Sequence, residues 1–316
     1  MPNNLKTIGS AMMLRRPGIY FVLILVGLFL VRFLAFSVES DDKQASPPDP
    51  FPSHYVIHAL DLPGDLFFAG EPVPMDDPGV RERYDRELLV NTYWQSSTLL
   101  MLKRANRWFP VIEPILMAHG VPDDFKYLAL AESNLTNVVS PAGATGFWQI
   151  LQGTGRDLGL EINDYVDERY HVEKATAAAC LYLLDARERY GSWTMAAAAY
   201  NIGNSRLRRI LDNQRVDSYY DLFLNEETSR YVFRILAIKN ILENPQASGF
   251  HIRPDQLYPP LEYQVLTVDT PITDLTEFAF RHNTTYRVLR ELNPWLRRYE
   301  LPNRSGKTYE IKLPVP

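Results

Sequence analysis

The chain has 316 residues, 46% of them hydrophobic and 22% charged, with a net charge of −5. That composition is globular rather than disordered, and the length allows one substantial core plus a smaller module. The acidic balance argues against nucleic acid as a partner, and a single cysteine rules out an intrachain disulfide.

Residues 1–17 are basic through Lys6, Arg15 and Arg16, and no acidic residue precedes Glu39. The uncharged apolar run "GIYFVLILVGLFLV" (18–31) is extended by "RFLAF", so residues 18–36 are predicted to enter a membrane. The positive-inside rule keeps the N-terminus cytoplasmic and exports the rest, with Arg32 snorkelling at the outer end. "LAF-S" is a poor small-residue cleavage site and no lipobox cysteine follows, which favours a signal anchor over a cleaved signal peptide. Residues 37–53, acidic and proline-rich, read as a flexible linker, and 54–78 as an extended N-terminal arm. His54 and His58 share an i, i+4 spacing but lack the glutamate of an HExxH site, so no metal is expected. No cofactor is expected either.

Helical periodicity dominates residues 79–245. Two helices are predicted over 80–97 and 98–120, with Gly120 as the stop, and a third opens at Pro122, Asp123 and Asp124. Alanine-rich faces follow in "HVEKATAAACLYLLDARERYG" and "TMAAAAYNIG", then "NSRLRRILDN" and "EETSRYVFRILAIKNILEN". Cys180, in "ATAAACLYLL", reads as a small core residue rather than a nucleophile. No strand-rich stretch interrupts this region, which is therefore an all-α domain. After a linker at 246–261, residues 262–316 read as strand, two short helices and strand, a separate α+β unit.

One charged residue breaks the pattern. Phe125, Leu128, Ala129 and Glu132 share one face of the third helix, so Glu132 points where the apolar residues point. Poor hydration disfavours a charged carboxyl and raises its pKa. An acid still protonated near neutral pH suits protonation of a glycosidic oxygen. On pattern alone, a helix-ending salt bridge explains Glu132 equally well. The loop that follows adds to the catalytic reading. Ser140, Pro141, Gly143, Ala144 and Gly146 bring backbone close to a ligand or another segment. Phe147 and Trp148 offer apolar surface, either to the face of a sugar or as core anchors, and Gln149 offers a donor and an acceptor. Farther on, Tyr200 and Asn201 place a phenol and an amide just before Gly203.

"ALAESNLTNVVSPAGATGFWQI" together with "AAYNIGNSRL" resembles the catalytic domain of family 1 lytic transglycosylases, of the membrane-bound murein transglycosylase D type. The resemblance covers roughly residues 90 to 245 and three motifs in order. It implies a lysozyme-like fold and cleavage of the MurNAc–GlcNAc β-1,4 bond of peptidoglycan without water, leaving 1,6-anhydroMurNAc ends. Carried over residue by residue, Glu132 is the catalytic acid and base, and Ser133 is the serine after it. Ser140, Gly146 and Gln149 belong to the loop lining the saccharide groove, and Tyr200 and Asn201 to the pair near the glutamate. The domain would then lie in the periplasm, with glycan strands as its partner.

Hydrolysis of the lysozyme type uses two carboxylates. No Asp or Glu lies between Glu132 and Asp157, which leaves residues such as Asp164 or Asp167 to supply a second one. The residues therefore leave a lysozyme-like peptidoglycan hydrolase, or a non-catalytic peptidoglycan-binding protein, as alternatives. The C-terminal unit resembles a LysM domain from Phe278 and Ala279 through Thr285, Leu289 and Asn293-Pro294. Its first half departs, with Val268 where the usual Gly-Asp-Thr has glycine. The overall expectation is mainly α: a lysozyme-like all-α catalytic domain plus a small LysM-like α+β domain.

Overall fold

A computed structural model describes residues 57–315; the membrane segment expected over 18–36 and the linker at 37–53 lie outside the described residues. Among the described residues, no helix is long and apolar enough to cross a membrane.

The N-terminal arm is fastened to the helices. Its strands β1 (Phe67–Phe68) and β2 (Glu71–Pro72) pair antiparallel around Ala69 and Gly70, both at positive φ. Phe68 is fully buried, edge-on to Phe125 with ring centroids 5.3 Å apart. Glu71 accepts hydrogen bonds from the backbone N–H groups of Trp193 (2.6 Å) and Thr194 (2.9 Å). Those donors open a helix, whose dipole favours a carboxylate there.

Helix α1 (Pro78–Tyr93) starts where Asp77 accepts from the Val80 N–H at 2.9 Å and Pro78 fills the first turn. The sequence pattern ran this helix to residue 97. The chain instead bends at Trp94, and α2 (Gln95–Ala118) begins one residue later. The Thr98 hydroxyl donates to the Asn91 carbonyl, which ties the two helices together across the break. The short helix α3 (Phe125–Ser133) carries Phe125, Leu128, Ala129 and Leu130, all fully buried. Around it lie α4 (Gln152–Asp157), α5 (Val172–Tyr190), α6 (Trp193–Ile202), α7 (Asn204–Gln214) and α8 (Glu226–Glu243). Ala196 to Ala199 are fully buried in α6, where short side chains permit packing against both α5 and α8.

In the C-terminal unit, β3 (Tyr263–Val268) pairs antiparallel with β4 (Tyr309–Pro314), from Tyr263 opposite Pro314 to Val268 opposite Tyr309. Helices α9 (Leu275–Arg281) and α10 (Tyr286–Leu292) lie between them in sequence, capped by Asp274 and Thr285. The Asn293 amide is fully buried; it donates to Leu289 O (2.9 Å) and Lys312 O (2.7 Å) and accepts from Lys312 N (2.8 Å).

Residues 59–316 form one compact unit, so the C-terminal module is not loosely tethered. Residues 246–261, expected as a linker, meet α2: Asn106 donates to Tyr258 O (2.9 Å) and Arg107 to Pro259 O (3.0 Å). Val166 and Tyr170, from the loop before α5, belong to the module's own core. Backbone bonds cross as well, from Asp167 N to Trp295 O (2.9 Å) and Arg297 N to Tyr165 O (2.7 Å).

Candidate active site

Helix α3 carries Glu132 in its last turn, and the chain leaves the helix through Asn134 and Leu135, both at positive φ. The half-buried Glu132 side chain lies where two cavities meet, and it lines both. One, of about 420 Å³, is bordered by Ser140, Gln149, Tyr200, Asn201 and Glu227. The other, of about 470 Å³, is bordered by Asn91, Trp94, Asn134, Arg230 and Arg234. Glu132 thus sits mid-groove, where a chain-like ligand passing on both sides presents an internal bond.

Electrostatics suit an acid. Burial pushes the Glu132 carboxyl up to about 7, against the Tyr231 hydrogen bond and the Arg234 charge, which pull it down, while Glu227 adds to the rise. The Tyr231 hydroxyl, from α8, donates to Glu132 Oε1. Tyr231 is itself held far above the ordinary phenol range by burial and by the facing carboxylate.

The loop from 134 to 151 is shaped by its backbone. Val139 bridges to Thr145 and Thr145 to Ile150. The Ser140 hydroxyl accepts from Ala144 N (3.0 Å), and the Gln149 amide donates to Gly146 O (2.8 Å) and Val138 O (3.1 Å). At Gly146, with φ +81°, a Cβ would stand 2.1 Å from the Arg169 carbonyl oxygen, so only glycine fits. Arg169 binds the loop from outside, donating to Gly143 O (3.0 Å) and Ile150 O (3.2 Å) while paired with Asp167 at 2.7 Å.

Of the seven sequence-derived residues, Glu132, Ser140, Gln149, Tyr200 and Asn201 converge on one cavity. Ser133 borders the other cavity, its buried hydroxyl donating to Phe147 O at 2.8 Å, and Gly146 gives the close approach just described. Tyr200 donates to Trp148 O at 2.7 Å, so its ring is fixed beside Glu132. Phe147 and Trp148 do not face the groove. Both are buried; Phe147 packs edge-on against Trp108, and Trp148 Nε1 donates to Thr176 Oγ1 at 2.9 Å. Asp167 is committed to Arg169, and Asp164 borders a separate depression near Tyr299. Neither supplies a second carboxylate to the groove. Glu227, Tyr231 and Arg234 were missed because they come from α8, whose sequence reads as an ordinary amphipathic helix. Tyr231, a polar tip within that helix's apolar stripe, was the available signal. Cys180 is fully buried in α5, its thiol pushed up to about 12, which fits a packing role.

Residues 110–223 match the transglycosylase SLT domain, and residues 264–316 match the soluble lytic transglycosylase C-terminal LysM-like domain. The chain is 29% identical over 199 residues to membrane-bound lytic murein transglycosylase D of Escherichia coli strain K12, covering 60% of this chain and 43% of that protein. It is 26% identical over 127 residues to a putative tributyltin chloride resistance protein of an Alteromonas species, covering 40% of this chain and 61% of that one. Among solved structures, an inactive mutant of the lytic transglycosylase Slt from Pseudomonas aeruginosa aligns with a TM-score of 0.37 and 19% identity, over 57% of this chain and 35% of that one. The chain thus spans less than two thirds of each of these relatives.

Proposed function

We propose that this chain, which carries a transglycosylase SLT domain and a LysM-like C-terminal domain, is a peptidoglycan lytic transglycosylase. The observation that carries the reading is Glu132: a half-buried carboxyl with a pKa of about 7, at the meeting point of two cavities. Such a group is present in both protonation states near neutral pH, so it can give a proton and take one back.

In this reading, a glycan strand lies along both cavities. Glu132 protonates the glycosidic oxygen between MurNAc and GlcNAc, and the C1–O bond breaks with help from the substrate's own N-acetyl group. Glu132, now a carboxylate, accepts a hydrogen bond from Tyr231, which eases the charge on a poorly hydrated group. It then takes the proton of the MurNAc C6 hydroxyl, whose oxygen closes the 1,6-anhydro ring. Gln149, Ser140, Tyr200 and Asn201 border the sugar's path. We place the catalytic unit in the cell envelope, exported and held by the N-terminal apolar segment, in keeping with the membrane-bound name of the E. coli relative.

Glu227 favours one rival. It is the other carboxylate bordering Glu132's Tyr200-side cavity, and a hydrolase needs a second carboxylate to activate water. Mass spectrometry of muropeptides released from sacculi separates the two, because the anhydro product is lighter by one water. Anhydro ends are expected from the wild type and from Glu227→Gln alike. Reducing MurNAc ends throughout, with turnover lost in Glu227→Gln, would establish the hydrolase instead.

A further inference from the structure

The cavity on the Trp94 side contains a charge arrangement that the proposed chemistry does not use. Glu87, on α1, has a side chain only 1% exposed, a costly place for a carboxylate without partners. Arg230 donates to its Oε1, and Arg86 approaches the same oxygen at 3.4 Å. The other oxygen, Oε2, is buried without a hydrogen bond. Arg234 Nε stands 3.6 Å from it, too far for one. The second acid of the cluster, Glu226, is taken by Arg86 at 3.1 Å and approached by Arg230 at 3.5 Å. Three guanidinium groups therefore share Glu87 and Glu226, and Arg234 also faces Glu132 across the cavity. Arg234, 30% exposed and bordering the cavity between Glu87 and Glu132, is the one whose fork makes no hydrogen bond among the described residues.

We infer that Arg234 is a specificity-determining residue that binds a carboxylate on the peptide stem of the substrate, so that peptide-bearing strands are cut in preference to bare glycan. The inference rests on the peptidoglycan reading above. A planar guanidinium with free donors matches a carboxylate in two-point geometry. Its surroundings are suitable for the rest of such a ligand. Trp94, 63% exposed, offers an apolar face on the same cavity. Arg234 also has a consequence for the acid. The groups facing Glu132 are Tyr200, Tyr231, Arg234 and Glu227, and Arg234 is the cation that draws its pKa down. A substrate carboxylate bound to Arg234 offsets that cation, so Glu132 holds its proton to higher pH in the complex.

The test uses the full-length protein on two substrates: intact glycan strands, and the same strands stripped of peptide by an amidase. The expected wild-type preference for peptide-bearing strands, read as kcat/KM, is at least about tenfold, the scale of one charge-assisted pair. In Arg234→Gln the ratio falls by about that factor, and Arg234→Lys recovers part of it. The alkaline limb of kcat lies at higher pH for peptide-bearing strands in the wild type, and the two limbs coincide in Arg234→Gln. Raising the salt concentration lowers the wild-type preference, a check that needs no variant. An equal ratio in wild type and Arg234→Gln, or a wild-type preference indifferent to salt, overturns the inference. If the wild type cuts neither substrate, the functional reading falls. Calorimetry of a soluble disaccharide-tetrapeptide against its peptide-free disaccharide then decides the subsite separately. Weaker binding of the peptide form to Arg234→Gln upholds it, and equal binding to both proteins refutes it.

Discussion

Replacing Glu132 by glutamine should make the folded protein more stable, and only on the alkaline side. The wild-type carboxyl titrates at about 7 when folded against 4.5 for the free group. Between those values the folded state holds a proton that the unfolded chain has released, so stability declines as pH rises through this window. Below pH 4.5 both states are protonated and the residue contributes no pH dependence. Above 7 the full cost of a charged, poorly hydrated carboxylate is present, about 3 kcal/mol at 1.36 kcal/mol per pH unit. Glutamine keeps the shape and an acceptor for Tyr231 but never carries the charge. Thermal unfolding of wild type and Glu132→Gln, followed by circular dichroism from pH 4 to pH 8.5, should give curves that meet at the acid end. They should separate by about 6 °C at the alkaline end, using roughly 2 °C per kcal/mol for a unit of this size. Parallel curves would mean that Glu132 titrates as an ordinary surface carboxyl, and the proposed acid would lose its physical basis.

Tyr231→Phe removes a donor that favours the charged form of Glu132. The alkaline limb of kcat/KM, expected near pH 7, should move up by about one pH unit while the maximal rate falls; an unmoved limb excludes the tyrosine from the acid's environment. Gly146→Ala puts a Cβ 2.1 Å from the Arg169 carbonyl at φ +81°, so a loss of more than about 3 kcal/mol in urea unfolding is expected. Removing residues 262–316 uncovers Val166, now fully buried, and Tyr170, at about 1.5–3 kcal/mol for each large side chain. The shortened protein should therefore unfold at lower temperature, whereas an unchanged midpoint would mean that the module contributes nothing to the fold. Trp148→Phe leaves Thr176 without its indole partner and should cost about 1–3 kcal/mol, with no change in binding to bare glycan if the ring is purely internal.

Local signals in this chain were legible in proportion to how local their cause is. The phase of Phe125, Leu128, Ala129 and Glu132 is a property of one helix, and the glutamate is half-buried on the face that phase implied. The alanine run of α6 pointed to tight helix packing and is buried throughout. The pair Phe147-Trp148 was open to two readings because an aromatic side chain suits a sugar face and a core equally. Thr176, which takes the indole N–H, lies 28 residues away. Arg169 has no local signature, yet it ties together Asp167, Gly143 and Ile150. The α8 groups that tune Glu132 were hidden for the same reason. Their chemistry exists only once α3 and α8 touch, and no spacing rule connects positions so far apart. The C-terminal module read correctly as strand, helix, helix, strand. Its fusion to the helices through Val166 and Tyr170 has no local signature at all.

Tyr231 stands 99 residues after the carboxyl it contacts. A chain that emerges from its N-terminus, from the ribosome or across a membrane, presents Glu132 long before α8 exists. Until that helix packs against α3, the carboxyl keeps the water that α8 displaces, and hydration favours its charged form. The raised pKa of Glu132 is therefore set late by chain order itself: the carboxyl reaches its final surroundings only after α8 packs against α3.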